Sequence, residues 1–212
     1  MTDKPMIFVS PIKKKSAIKK GYHEYSHKCG MLLLEKAFLH IDLAFSENDI
    51  IKAKSGKPYI KNDPVHFSIS HCDGLAVCVL SKNEIGVDCE SVRRTSNAVM
   101  ERCYGDSEKQ NVINSDSDTT FSRLWTLKES YVKMTGDGIA SDLKTKCFDI
   151  ENGRTLFESG AEFYHYGCQF NKEDYFISVC VKTDEKNLAE TIQVTNFDID
   201  NKHILLYNIS DN

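Results

Sequence analysis

Apolar and polar positions change period several times along the chain. At 31–41, "MLLLEKAFLHI", Leu33, Leu34, Ala37, Phe38 and Ile41 recur at helical spacing. Three short strand candidates follow at 65–70, 75–80 and 85–90, linked by "HCDG" at 71–74 and "SKNE" at 81–84, which predicts an antiparallel meander. "SGKPY" at 55–59 reads as a turn. The polar stretch 105–118, "GDSEKQNVINSDSD", reads as a loop ending in residues able to cap a helix. That helix is predicted over about 119–135, with Leu124, Leu127, Tyr131 and Met134 as its apolar stripe and Gly136 as its stop. Strands return at 146–150 and 154–158 around Asn152-Gly153, a hairpin signal, and near 161–167, 174–182 and 192–198. The order helix, meander, helix, meander predicts an α+β fold of two subdomains, 1–105 and 106–212.

Composition narrows the class. Hydrophobic residues make up 41% of the 212 positions, enough for a core, and the net charge of −4 excludes a broad nucleic-acid surface while leaving room for a local basic patch. No apolar run approaches a membrane span, and "MTDKPMIFVSP" lacks the apolar region of a signal peptide, so a cytoplasmic protein is expected. The eight cysteines form no C-x-x-C pair, and several sit in apolar strand-like runs. They read as reduced, buried thiols, with a zinc site as the less favoured alternative.

Candidate chemistry begins at "EIGVDCE", 84–90. Asp88 and Glu90 stand two apart on a strand and point the same way, where like charges repel. An edge strand protected by charge would explain them, and so would a divalent metal such as Mg²⁺, which takes few protein carboxylates and fills its shell with water and phosphate oxygens. A third carboxylate such as Glu129 would suit that metal. Glu129 and Lys133, at i and i+4, share a helix face that by itself reads as a solvated ion pair; Trp125, the single tryptophan, lies near that face. Ser70 and His71 end a strand, where a loop hydrogen bond and an anion contact are both open readings. Lys57 and the lysine-rich segment 13–20 read as solvated surface or, beside a metal–diphosphate, as phosphate ligands.

The order of the motifs is more specific than any one of them. "GKPY" (56–59), "FSISH" (67–71), "IGVDCE" (85–90) and "WTLKESYVKMTGDGI" (125–139) together resemble the surfactin-type 4′-phosphopantetheinyl transferases. The resemblance is strong over about 55–140 and weaker over 11–41. It implies two similar α+β subdomains related by a pseudo-twofold axis, each a helix on antiparallel strands, with coenzyme A in the cleft between them. It implies transfer of phosphopantetheine from coenzyme A to a serine of an apo acyl or peptidyl carrier protein. By resemblance, Asp88, Glu90 and Glu129 hold Mg²⁺ (or Mn²⁺), Glu129 also acts as base, and Lys133 stabilises or protonates the leaving phosphate. Lys128 contacts the diphosphate, while Lys57, Ser70, His71, Lys14 and Lys28 hold the nucleotide end. Cys72 and Cys89 stand where a serine and an aliphatic residue are usual, and Ala17 falls about where a family lysine is expected. The expected partners are coenzyme A and the carrier, with no nucleic acid and no membrane, and two equivalent halves make a monomer sufficient. The rival readings are a silent module binding carrier protein or coenzyme A, and a Mg²⁺-dependent phosphoesterase.

Overall fold

The computed structural model describes residues 5–61, 64–138, 142–183, 192–196 and 204–206. In chain order the elements are β1 (Met6–Pro11), α1 (Tyr22–His40), β2 (Ile50–Lys52), β3 (Pro58–Ile60), β4 (His66–Cys72), β5 (Leu75–Ser81) and β6 (Ile85–Ser91). Then come α2 (Asn97–Cys103), α3 (Asp106–Asn114), α4 (Ser117–Thr135), β7 (Phe148–Asp149), β8 (Arg154–Thr155), β9 (Ala161–Phe170), β10 (Glu173–Lys182), β11 (Ile192–Asn196) and β12 (Ile204–Leu206). The fold is α+β. One four-stranded sheet runs β12-β1-β5-β4 and the other β11-β9-β10-β6.

Strand alternation builds a layered core. Ile7, Val9, Leu75, Val77 and Val79 of the first sheet face Ile85, Val87, Cys89, Ile177 and Val179 of the second, filling the space between the sheets. The alternate residues Phe8, Ala76, Cys78 and Leu80 face outward onto Leu33, Leu34, Ala37 and Phe38 of α1. On the far side, Phe163 and Cys180 pack with Phe121, Leu124 and Leu127 of α4, which Tyr104 and Val112 cover from outside. The layers are therefore α1, first sheet, second sheet, α4. β5 is buried at all seven positions because both its faces are covered, hence its unbroken apolar run.

Each sheet repeats one βαββ path. β1-α1-β4-β5 gives the order β1, β5, β4, and β6-α4-β9-β10 gives β6, β10, β9: first, third, second in both, with antiparallel neighbours. The expected three-stranded meander therefore breaks at its third strand. β4 and β5 form a hairpin through Asp73-Gly74, but β6 leaves to pair with β10, from Ile85↔Val181 to Ser91↔Tyr175. Periodicity tells which faces are buried, not which strand lies alongside.

Other differences are local. The first helix starts at Tyr22 rather than 31, because its amino-terminal turns carry polar residues toward solvent and only Ser26, Cys29 and Gly30 inward. The 105–118 stretch is mostly helix: Glu108 accepts from the backbone N–H of Gly105 at 2.9 Å, closing the start of α3. The strands expected at 146–150 and 154–158 shrink to two residues each, around Gly153 at φ 61°. α4 ends at Gly136, φ 77°, as expected. Positions 197–198 of the last expected strand lie outside the described residues.

Candidate active site

β4 and β6 are edge strands of different sheets, and they meet without a backbone ladder. Two serines of "FSIS" make the join: Ser68 Oγ accepts from Val87 N at 3.1 Å, and Ser70 Oγ accepts from Cys89 N at 3.3 Å. With Cys89 turned into the inter-sheet core, Asp88 and Glu90 face the other way, toward α4.

α4 lies very close to β6. A Cβ on Gly86 would overlap the backbone of α4 at Ser130 O and Met134 N. The glycine of "IGVDCE" is thus a contact point, and it brings Lys133 down onto Asp88. Lys133 Nζ donates to Asp88 Oδ1 at 2.7 Å and to Ser70 Oγ at 3.0 Å, and Ser70 donates to Asp88 Oδ1 at 2.8 Å. Asp88 is only 5% exposed. Its second oxygen, Oδ2, and Oε1 of Glu129 are buried with no hydrogen-bond partner among the described residues.

The electrostatics follow from burial and crowding. Burial first, and Asp88 second, push the Glu90 carboxyl up to about 7. The same two causes, in the same order, raise Glu129. Burial pulls the Lys133 ammonium down, but Asp88 and its hydrogen bond outweigh that and hold it above the ordinary lysine value. The seam thus holds three mutually repelling carboxylates against one firmly protonated lysine. Among the described residues no three His, Cys, Asp or Glu side chains form a ready-made metal shell. The orphaned oxygens are nonetheless hard donors of the kind Mg²⁺ takes, and that ion needs only one or two protein carboxylates.

Arg93 completes the seam and was not picked out by motif. Its Nη1 lies 3.8 Å from Glu90 Oε1, and its guanidinium sits over the rings of Trp125 (5.0 Å) and Phe121 (5.3 Å). This is what Trp125 packs against. Arg93 Nε and Nη2 are buried without a partner among the described residues. The available signal was "ESVRR", a basic pair directly after the acids.

A cavity of about 560 Å³ adjoins the seam. His27 and Met31 of α1, Lys57, Ile69 and His71 of β4, and Lys133 are among its lining residues. Lys57 donates to Met134 O at 2.6 Å, so "SGKP" packs on the end of α4, where a Cβ on Gly136 would press on Ser55 and Lys57. Burial lowers the Lys57 ammonium. His71 stands between His23 and His27, with ring centroids 6.1 and 6.4 Å away, and burial followed by His27 and Lys133 lowers its pKa.

The structure thus gathers Asp88, Glu90, Glu129, Lys133 and Ser70 at the seam, and His71 and Lys57 in the adjoining cavity. Others fall elsewhere. Lys128 is a correction: its ammonium is 0% exposed, ion-paired with Glu108 at 2.8 Å, and donates to Leu143 O and Lys146 O at 2.8 and 2.7 Å. All its donors serve the packing of α3 and the 143–146 turn on α4, so none reaches the seam. Ser70 is taken up by Asp88, Lys133 and Cys89 rather than facing the cavity. Lys14 is ion-paired with Glu173, and Lys28 is exposed on α1; neither lines the cavity.

Residues 84–193 match the profile of the 4′-phosphopantetheinyl transferase superfamily. The chain is 29% identical over 136 residues to the 4′-phosphopantetheinyl transferase gsp of Aneurinibacillus migulanus, covering 62% of this chain and 57% of that protein. It is 28% identical over 146 residues to the 4′-phosphopantetheinyl transferase Sfp of Bacillus subtilis (strain 168), covering 65% of each. The match to the Bacillus subtilis 4′-phosphopantetheinyl transferase ffp is 28% over 170 residues, 74% of each chain. The first two alignments thus span less than two thirds of those relatives' lengths. The profile matches more than half of the sequence and takes in β6 with its acids and the whole of α4. The chain belongs to the 4′-phosphopantetheinyl transferase superfamily.

Proposed function

We propose that this chain transfers the 4′-phosphopantetheine group of coenzyme A to a serine of an apo acyl or peptidyl carrier protein, with Mg²⁺ or Mn²⁺ held at Asp88, Glu90 and Glu129. The observation that carries the reading is the seam itself: buried carboxylate oxygens without partners, beside a cavity edged by cationic side chains, in a chain of this superfamily. When bound, the metal supplies positive charge to the diphosphate and relieves the repulsion between the carboxylates. Displacement at phosphorus then needs mainly alignment and charge neutralisation. Lys133, held protonated by Asp88, offers charge to the leaving phosphate. Glu129, raised by burial and by Asp88, has the proton affinity of a base for the incoming serine, directly or through a water. His71 and Lys57 hold the nucleotide end in the cavity.

The two βαββ units stand as the proposed subdomains, with the chain passing to the second sheet after β5, β12 returning to the first, and the site along their seam. We read the protein as a cytoplasmic monomer. Its eight cysteines are free, and no helix among the described residues is long and apolar enough to cross a membrane.

Incubation with coenzyme A, Mg²⁺ and an apo carrier protein, followed by intact mass measurement, tests the reading. A phosphopantetheine mass gain on the carrier is expected. No gain across several carriers overturns transfer, and coenzyme A hydrolysed without gain favours the phosphoesterase.

A further inference from the structure

Beneath α4 a second polar cluster continues the row that Asp88 begins. Asp88, Ser178 and His165 occupy one row across the second sheet, Ser178 pairing in register with Asp88 of β6 on one side and with His165 of β9 on the other. Ser178 is 0% and His165 1% exposed. α4 covers this row, with Lys133 on Asp88, Thr126 on Ser178 and Arg123 on His165.

The protons here have one consistent arrangement. An arginine only donates, so at 3.2 Å from Arg123 Nε, His165 Nε2 is an acceptor. The neutral ring then carries its hydrogen on Nδ1 and donates it to Ser178 Oγ at 2.8 Å. Ser178 donates to Thr126 Oγ1 at 2.8 Å, and Thr126 donates to the carbonyl of Arg123 at 2.9 Å. The circuit starts on the Arg123 side chain and closes on the Arg123 backbone. The Phe176 ring stacks on His165 with centroids 5.5 Å apart, and Arg123 lies 6.0 Å from the same ring.

A ring of this kind is directional, unlike the greasy contacts around it. Apolar packing tolerates a slide or roll of the helix; the two hydrogen bonds that tie Arg123 and Thr126 to fixed points on β9 and β10, themselves locked together by the His165–Ser178 bond, do not. We infer that His165 is a positioning residue: through Ser178, Thr126 and Arg123 it fixes the register of α4 on the sheet, and so where Glu129 and Lys133 stand over Asp88. The inference rests on the proposed transfer only for the meaning of the seam, not for the geometry.

The test separates the two. In urea unfolding, His165→Gln, Lys133→Met and the double variant form a thermodynamic cycle. Arg123 and Lys133 are ten residues apart on α4, about 15 Å along its axis. Independent sites at that distance multiply their effects on the unfolding constant to within a factor of about two. Departure from the product by about threefold or more is expected, and a product within twofold overturns the inference whether or not the protein transfers anything. Ser178→Ala with Lys133→Met repeats the cycle from the other strand, should His165→Gln fold poorly. Where transfer is measurable, both ring variants should lower kcat about tenfold or more while leaving the KM for coenzyme A unmoved, since neither residue lines the cavity. An unchanged kcat at a temperature where the variants are fully folded overturns it too.

Discussion

Two polar clusters lie under the same helix, and they differ in completeness. In the ring of Arg123, His165, Ser178 and Thr126, the hydrogen bonds run in a closed circuit within the protein. At the seam, Asp88 Oδ2, Glu129 Oε1 and two nitrogens of Arg93 have no partner among the described residues. A buried polar atom without a partner costs about 1–3 kcal/mol, so the fold alone would not favour the seam. The ring is what a polar cluster looks like when its purpose is the fold. The seam is what one looks like when part of its complement comes from outside.

The largest expected effect breaks the open end alone. Asp88→Asn keeps the shape and a hydrogen-bond acceptor for Ser70 and Lys133 but removes the charge. Transfer should fall roughly 10²–10⁴-fold, as it does when a charge-bearing catalytic group is lost. Thermal unfolding should shift little, because Lys133, with 31% of its side chain exposed, keeps access to water, while Glu90 and Glu129 lose a repelling neighbour. Equal damage to stability and to transfer would remove the distinction between the clusters.

Acidity sharpens the comparison, because the clusters titrate with opposite signs. Glu90 in the fold is raised from 4.5 to about 7, so the folded chain binds more protons than the unfolded one between those values. Its contribution is full below 4.5 and is lost as pH rises through 7. Burial first, then Arg123, lowers His165 from 6.5 to about 3. Its contribution is full above 6.5 and is lost as pH falls toward 3. At about 1.4 kcal/mol per pH unit, the bounds are roughly 3 and 5 kcal/mol respectively. Relative to the parent chain, Glu90→Gln should gain stability as pH rises from 4.5 to 7, and saturating Mg²⁺ should shrink that gain. The deficit of His165→Gln should shrink as pH falls from 6.5. Urea midpoints across pH read both, and parallel trends in the two variants would contradict the assignment.

Much of the seam was legible in the sequence. Alternation places Asp88 and Glu90 on one face and Cys89 on the other, and helical spacing with Gly136 bounds α4. What stayed hidden depends on neighbours distant in sequence. β6 pairs with β10, some ninety residues later, where local period is silent. Lys128 looks like a surface lysine on the polar side of α4, but α3, itself read as a loop from its polar composition, covers that side with Glu108. Arg93 belongs to no motif and acquires its place only when Trp125 and Phe121 arrive beneath it. His165 stands in "EFYHYGC", where aromatic residues on both faces predict a doubly buried strand; a histidine there is a buried polar group in want of partners, which the spacing cannot name.

The smallest effect expected is on the piece that joins the clusters. Gly86 lies under Ser130, Lys133 and Met134, at the turn of α4 that carries Lys133 and beyond the turn held by the ring. The obstacle to a methyl group there is backbone, which cannot turn aside. Gly86→Ala should therefore lift that end of α4 and cost about 1–3 kcal/mol, the usual range for overpacking. Gly30 offers the control. A Cβ on it would meet side chains rather than backbone, Ile69 Cγ2 at 2.8 Å and His71 Cδ2 at 3.9 Å, and alanine suits a helix interior better than glycine by about 1 kcal/mol. Gly30→Ala should accordingly stay within about 1 kcal/mol of the parent in urea unfolding. If α4 is pinned at the ring, the lift in Gly86→Ala falls on its free end, and transfer should suffer more than stability does. Gly86→Ala with full transfer activity would show that Lys133 and Glu129 do not need the close approach of α4 to β6.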